Sequence, residues 1–365
     1  MKETIKKNAK YILNILFIAL IGFLTFRLLF HGQEFSTIIK DLHNAKKGWI
    51  LLGALLVFLF VAGESVIIKY MLRLFKCKIP FRQCLKYSFI GFFFSCITPS
   101  SSGGQPAQMY YMKKDGIKLG FSTLIMLIIT VAYKSVLVIL GLVMLFFKHS
   151  YIEDHMGRLN WLLTLGFILN VGFIVLLVFI FFKPLWARKM GIKIVNFFTS
   201  IRIVKQENNE KFVNKITRIC DNYIAGADYI KRNVHSVIKI FLITLVQRTF
   251  LFAVTWVVYK SYGLSGSGFI DLLTLQVMIG VACEMMPLPG AAGITEGCFL
   301  VMFGDIFGDL VKPAMLLSRG LSFYFLLLMS AAVTLVAHIL VMRRDGKNSE
   351  NENISEENMK GKDLK

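Results

Sequence analysis

Residues 87–112 read YSFIGFFFSCITPSSSGGQPAQMYYM, an apolar stretch cut in its middle by TPSSSGGQP at 98–106. A second apolar stretch, 272–307, is cut in the same way by PLPGAAG at 287–293. Proline removes a backbone donor and clashes with the preceding turn, and glycine weakens a helix, so neither stretch reads as one straight helix. Around them lie runs at 49–68, 120–147, 159–182, 238–259 and 320–342. Each reaches the roughly 20 residues that a helix needs to cross a hydrocarbon core of about 30 Å. A further run at 11–30 follows a basic start, 1–10, and is longer than the core of a signal peptide, which predicts a retained first span.

Of the 365 residues 56% are apolar and 33 are Phe, which places the chain well outside soluble domains. The formal net charge of +20 would point to nucleic acid in a soluble chain. Here the basic residues lie between apolar runs, where their partners are anionic membrane lipids, and no nucleic acid is expected to bind directly. The cysteines Cys77, Cys84, Cys96, Cys220, Cys283 and Cys298 form no C-x-x-C pair and no grouping with His, so free thiols and no metal are expected.

Basic residues gather in cytoplasmic loops. The loop 72–86 carries Arg73, Lys76, Lys78, Arg82 and Lys86, and 183–235 carries eleven Lys or Arg against four acids, so both are expected inside. The loops 149–158 and 261–271 carry one base and none, and are expected outside. If 87–112 were a full crossing, Lys113 and Lys114 would fall outside and every later loop would invert. Treated as a hairpin, it restores agreement, and 272–307 behaves alike from the other side. The expected fold is an all-α polytopic membrane protein with about six transmembrane helices plus two re-entrant helical hairpins in an inverted repeat, or eight spans if the hairpins count as crossings. The competing reading is eight plain helices kinked at proline. In the first reading residues 11–342 form the transmembrane domain of a multi-pass protein of the bacterial plasma membrane, with both termini cytoplasmic. Within it, 183–235 places Phe212, Ile216, Ile219, Tyr223 and Ile230 at helical spacing, an amphipathic helix expected to lie on the membrane surface. The polar tail 343–365 is expected to be disordered.

Transporters with inverted repeats of broken helices hold substrate near the midplane. Backbone freed from helical bonding is costly in lipid and must be buried in protein or line a wet cavity. The candidates for binding a phospholipid headgroup are therefore Pro99, Gly103, Gly104 and Gln105 in the first interruption and Pro289, Gly290 and Gly293 in the second. Glycines let a ligand approach the backbone, and a half-helix starting after the turn, with Pro106 or Thr295 in its first turn, offers free N–H groups to a phosphate. Tight packing of the hairpin is the alternative use of the same residues. Charges inside apolar runs form the second signal, because they are expensive unless paired or facing a cavity. They are Glu64, Lys134, Arg248, Glu284, Glu296 and Arg319. Glu284 or Glu296 is expected to pair with Lys134 or Arg248, either as a structural pair or as a groove for a zwitterionic or anionic headgroup. Lys134, Arg248, Glu284, Glu296 and Arg319 join the binding candidates. No catalytic residue is assigned, since the sequence shows no Ser/His/Asp cluster, metal set or nucleotide loop. Arg27 reads as a snorkelling residue at a helix end.

The stretch TPSSSGGQP followed by Lys113-Lys114-Asp115-Gly116, and the stretch PLPGAAGITE at 287–296, resemble the flippase-like transmembrane region of the lysylphosphatidylglycerol synthase family. The likeness covers about residues 10–342. The family's motifs commonly read G-G-E and P-G-G-x-G-x-x-E, so Gln105 and Ala291 depart from them, and Gln105 lacks the charge. The resemblance implies movement of a phospholipid, aminoacylated phosphatidylglycerol among the candidates, between leaflets, with a link to cationic-peptide resistance. It also implies an alternative, a phosphatidylglycerol lysyltransferase or its membrane subunit, because full-length members append a soluble domain that takes lysine from lysyl-tRNA. The sequence after the last apolar run leaves no room for that domain, so a transferase is expected as a separate soluble partner. No cofactor is implied, and without an ATP motif transport is expected to be passive or ion-coupled.

Overall fold

The computed structural model describes residues 44–200 and 206–341. The expected span at 11–30, the basic start and the polar tail lie outside the described residues. Within them every regular element is helical: α1 (Lys47–Leu74), α2 (Phe81–Ile97), α3 (Gly104–Lys114), α4 (Leu119–Phe147), α5 (His149–Met156), α6 (Asn160–Phe182), α7 (Pro184–Ser200), α8 (Gln206–Arg232), α9 (Val234–Ser261), α10 (Phe269–Cys283), α11 (Ile294–Met302), α12 (Gly304–Phe307) and α13 (Val311–Arg319). α1, α4, α6, α9 and the continuous stretch Gly304–Val341 are long and apolar enough to cross a membrane. The chain is a multi-pass all-α membrane protein. Its last span starts earlier than the expected residue 320. There α13 leads through a π-helical turn, Gly320–Phe325, into residues 326–341. Apolar side chains such as Leu51, Phe146 and Leu328 stand exposed on the outside, where hydrocarbon is their natural solvent.

The bundle has two ends, and each hairpin is rooted at a different one. At the first end the backbone N–H of Lys46 donates to Ser261 O at 2.9 Å, joining the start of α1 to the finish of α9. Lys148, just past α4, pairs with Asp271 at the start of α10 at 2.9 Å. The Tyr259 ring lies 5.5 Å from Phe307, beyond α11. At the second end Phe75 stacks on Phe121 at 4.8 Å, and Tyr70 donates to Ser236 at 3.0 Å. There Asp115, just past α3, accepts from Lys86 and Tyr87 near the start of α2, at 2.6 and 2.7 Å. The pair α2–α3 therefore leaves and returns to the second end, and α10–α11 leaves and returns to the first. With 17 residues, α2 is about 25 Å long and reaches only into the bundle. The two tips meet there in an isolated antiparallel bridge between Pro99 and Pro289. Ser100 Oγ also donates to Met286 O at 3.2 Å.

α8 corrects one expectation. Tyr223, Ala227 and Ile230 are buried in the same cluster as Ile125, Met126 and Ile129 of α4, so this end of its apolar face packs on protein. Phe212 at the other end remains exposed.

Candidate functional site

The tip turns are built alike. A proline ring disfavours helical backbone in the residue before it, and Thr98 is accordingly extended (φ −117°, ψ 147°), which ends α2. Ser100 and Ser101 then take left-handed backbone, φ 49° and 55°. The N–H groups of Ser101 and Ser102 donate to the carbonyls of Thr98 and Pro99 at 3.2 and 3.1 Å. In the second tip Gly290 and Ala291 take φ 58° and 50°, and Ala291 and Ala292 donate to Leu288 and Pro289 at 3.0 and 3.2 Å. Of these four left-handed residues only Gly290 adopts the conformation freely; the others each cost about 1–2 kcal/mol. The surrounding contacts must hold them there.

Those contacts include a charged clamp. Glu296 Oε2 accepts the N–H of Gly293 at 2.7 Å, capping α11, while its Oε1 accepts from Arg319 Nε at 2.7 Å. Arg319 Nη2 donates to Gly290 O at 3.0 Å, so one guanidinium ties the turn to the half-helix that follows it. Arg319 is the last residue before the π-helical turn.

A second cluster lies where the hairpins and long helices converge. Glu284, directly after α10, accepts from Arg248 Nη1 of α9 at 2.5 Å and from Lys134 Nζ of α4 at 3.1 Å. Arg248 is fully buried, with its guanidinium carbon 3.9 Å from the centre of the Tyr133 ring and 4.8 Å from that of Phe252. Among the described residues its Nε and Nη2 make no well-formed hydrogen bond, and the Tyr133 side chain lies against the guanidinium. Glu284 keeps a quarter of its side chain accessible, at 24%. Two cations thus share one carboxylate, and the cluster is open on the Glu284 side.

The first hairpin reaches the same helix. Gln105 Nε2 donates to Thr130 Oγ1 at 3.3 Å, one turn of α4 before Lys134. One turn along α3, Gln108 Nε2 donates to Glu64 of α1 at 2.5 Å. These two bonds tie α3 to α1 and to α4, and α4 carries Lys134 of the Glu284 cluster. Ser100, Ser101 and Ser102 are exposed. Ser100 Oγ has its partner in Met286 O, while the exposed hydroxyls of Ser101 and Ser102 would be costly against lipid, which offers them no partner.

Set against the expectations, Glu284 takes both Lys134 and Arg248, whereas Glu296 takes neither and is held by Arg319. Gly104 is a correction. A side chain there would strike the hydroxyl of Ser95 and the Gly91 carbonyl, 2.7 Å from the added carbon, so its bareness serves close packing of α3 on α2 and does not admit a ligand. Gly103 is filled similarly by the Thr98 methyl at 2.6 Å, and its N–H is already taken by Thr98 Oγ1 at 2.9 Å. At Gly290 an added carbon would enter the ring of Phe323. Gly293 takes left-handed backbone at φ 85° to open α11. Pro289 is buried, and Pro99 is exposed against it. The sequence reading left out Gln108, Tyr133 and Thr130. A buried Gln or Thr is common in any helix, and only the partner across the bundle gives it meaning.

Comparison with known proteins adds the following. Residues 11–330 match the family described as Lysylphosphatidylglycerol synthase TM region. A protein of Mycoplasma pneumoniae described as an uncharacterized MG306 homolog is 25% identical over 316 residues, 80% of this chain and 78% of the relative. A UPF0104 membrane protein of Archaeoglobus fulgidus is 24% identical over 237 residues, 62% of this chain and 67% of that one.

Proposed function

We propose, on the premise that the chain belongs to the lysylphosphatidylglycerol synthase TM region family, that it carries a phospholipid between leaflets through the wet space where the two hairpins meet. The observation that supports this reading is Arg248, buried beside Lys134 with a single carboxylate, Glu284, shared between the two cations. A headgroup phosphate that enters at the open Glu284 side balances the surplus cation, and charge-assisted bonds of this kind are the strong ones. An aminoacylated headgroup also brings ammonium groups, for which the accessible edge of Glu284 is the natural partner. The end of the bundle bearing Arg73, Lys76, Lys78 and Lys86 is read as cytoplasmic, in a bacterial plasma membrane, which puts both termini on that side. The soluble transferase implied by the resemblance is the proposed partner that supplies an aminoacylated lipid, and cationic-peptide resistance is the proposed consequence in the cell.

The test is lipid translocation in proteoliposomes with phosphatidylglycerol, lysylphosphatidylglycerol and phosphatidylcholine. Wild type is expected to move at least one of the first two. Arg248→Gln, which leaves Lys134 and Glu284 as a balanced pair, is expected to slow it by roughly tenfold to a hundredfold, the worth of one charged hydrogen bond. Transport by the variant at the wild-type rate sinks the assignment of the phosphate to Arg248. Lysyl-lipid made from charged tRNA by the purified chain alone favours the transferase reading.

A further inference from the structure

A second site lies at the other end of α1, away from the central cluster. A cavity of about 780 Å³ opens there, lined by Lys69, Arg73, Lys76 and Lys78 with Ile79 and Pro80. The lining residues include four cations and no acid. None of the four is in an ion pair among the described residues; Lys69 instead lies over the Phe81 ring at 5.5 Å. Lys69 and Arg73 stand one helical turn apart on α1 and so share a face. The helix then stops with Cys77 N–H donating to Leu72 O at 2.9 Å and Lys76 N–H to Arg73 O at 3.0 Å. In that type of stop the left-handed residue is usually glycine, yet here it is Lys76, at φ 57°. The sequence keeps a cation where the backbone favours none. On another side Pro80 is the N-cap of α2 and makes no side-chain cap, which adds the positive end of a helix dipole.

Like charges converging on one cavity repel unless an anion sits among them. We infer that this cavity binds a phosphate-bearing group, either the headgroup of an anionic phospholipid or free phosphate, separately from the central site. The volume and the apolar wall at Ile79 and Pro80 suit a headgroup with the glycerol backbone of a lipid better than a bare ion. The site needs no transport to be real, so it stands or falls apart from the proposed function.

The full chain in non-ionic detergent, titrated with short-chain phosphatidylglycerol, phosphatidylcholine and inorganic phosphate, provides the test by native mass spectrometry and calorimetry. In R73Q/K76Q/K78Q the affinity of one of the phosphatidylglycerol sites is expected to fall roughly a hundredfold, about fivefold for each cation, with the central site and phosphatidylcholine binding unaffected. Loss of phosphatidylglycerol identifies the lipid headgroup as the source. Loss confined to inorganic phosphate identifies a soluble anion. If neither affinity changes in a variant whose thermal midpoint matches wild type, the inference is overturned. Should the triple variant not be recovered, K78Q alone is read at its exposed loop position, where an unchanged affinity for both ligands overturns it equally.

Discussion

Removing the carboxylate of Glu284 leaves Lys134 and Arg248 facing each other in the bundle with nothing between them. A buried charge stripped of its partner typically costs about 3–5 kcal/mol, so Glu284→Gln is expected to lower the thermal midpoint in detergent sharply. Adding Lys134→Met to it removes one of the repelling pair and is expected to restore part of the loss; strictly additive losses in the double variant would show that the three groups do not interact. Gly104→Val is expected to fail differently, by about 1–3 kcal/mol of overpacking against the Gly91 carbonyl, seen as poor recovery of folded protein and not as a folded chain that cannot transport. At this scale the sequence was partly legible. Charges deep in apolar runs announce themselves, and Glu284, Lys134 and Arg248 do prove to be partners. The partner of Glu296 was not legible, because a run gives the depth of Arg319 in the membrane and not the side of the bundle it faces. Gly104 misled for a related reason: a bare backbone looks the same in sequence whether a ligand or Ser95 fills the space.

The hairpins are the elements on which everything else hangs. Their existence could be read from Pro99, Pro287 and Pro289 with the glycines Gly103, Gly104, Gly290 and Gly293 beside them, since these residues interrupt a helix. Their mutual contact could not, because the Pro99–Pro289 bridge joins positions far apart in the chain and leaves no local pattern. Paired residues in an antiparallel bridge lie about 4.5–5.5 Å apart between Cα atoms, within the span of a disulfide. Cysteines replacing Pro99 and Pro289 in a chain without other cysteines are therefore expected to cross-link readily on mild oxidation. If the tips must part for a lipid to pass, the cross-link stops transport and a thiol reductant restores it. Full transport by the oxidised form, with the bond verified by mass spectrometry, would show that the tips stay together throughout. The π-helical turn after Arg319 was also unreadable from sequence, since nothing in GLSFYF marks an extra residue in the turn.

At the scale of the whole molecule, the opposed rooting of the hairpins places Lys113 and Ser265 at opposite ends, both exposed. Single cysteines at these positions are expected to react with an impermeant label from opposite sides of the membrane, Lys113→Cys from the cytoplasm and Ser265→Cys from outside. Labelling of both from one side contradicts the inverted arrangement. This architecture was the most legible feature of all, because the asymmetry of loop charges fails under eight plain crossings and succeeds under two hairpins. One property of the tips reaches further. They follow the same backbone course but not the same exposure: the serines of the first lie open, and Pro289 of the second is shut away. Two halves that are upside-down versions of each other can trade these conditions, so that the wet tip dries and the dry tip is wetted. On the proposed transport, the described form is one pose of a pair in which the tips exchange these exposures, and a lipid that finds one pose open to one leaflet would find the other open to the opposite leaflet.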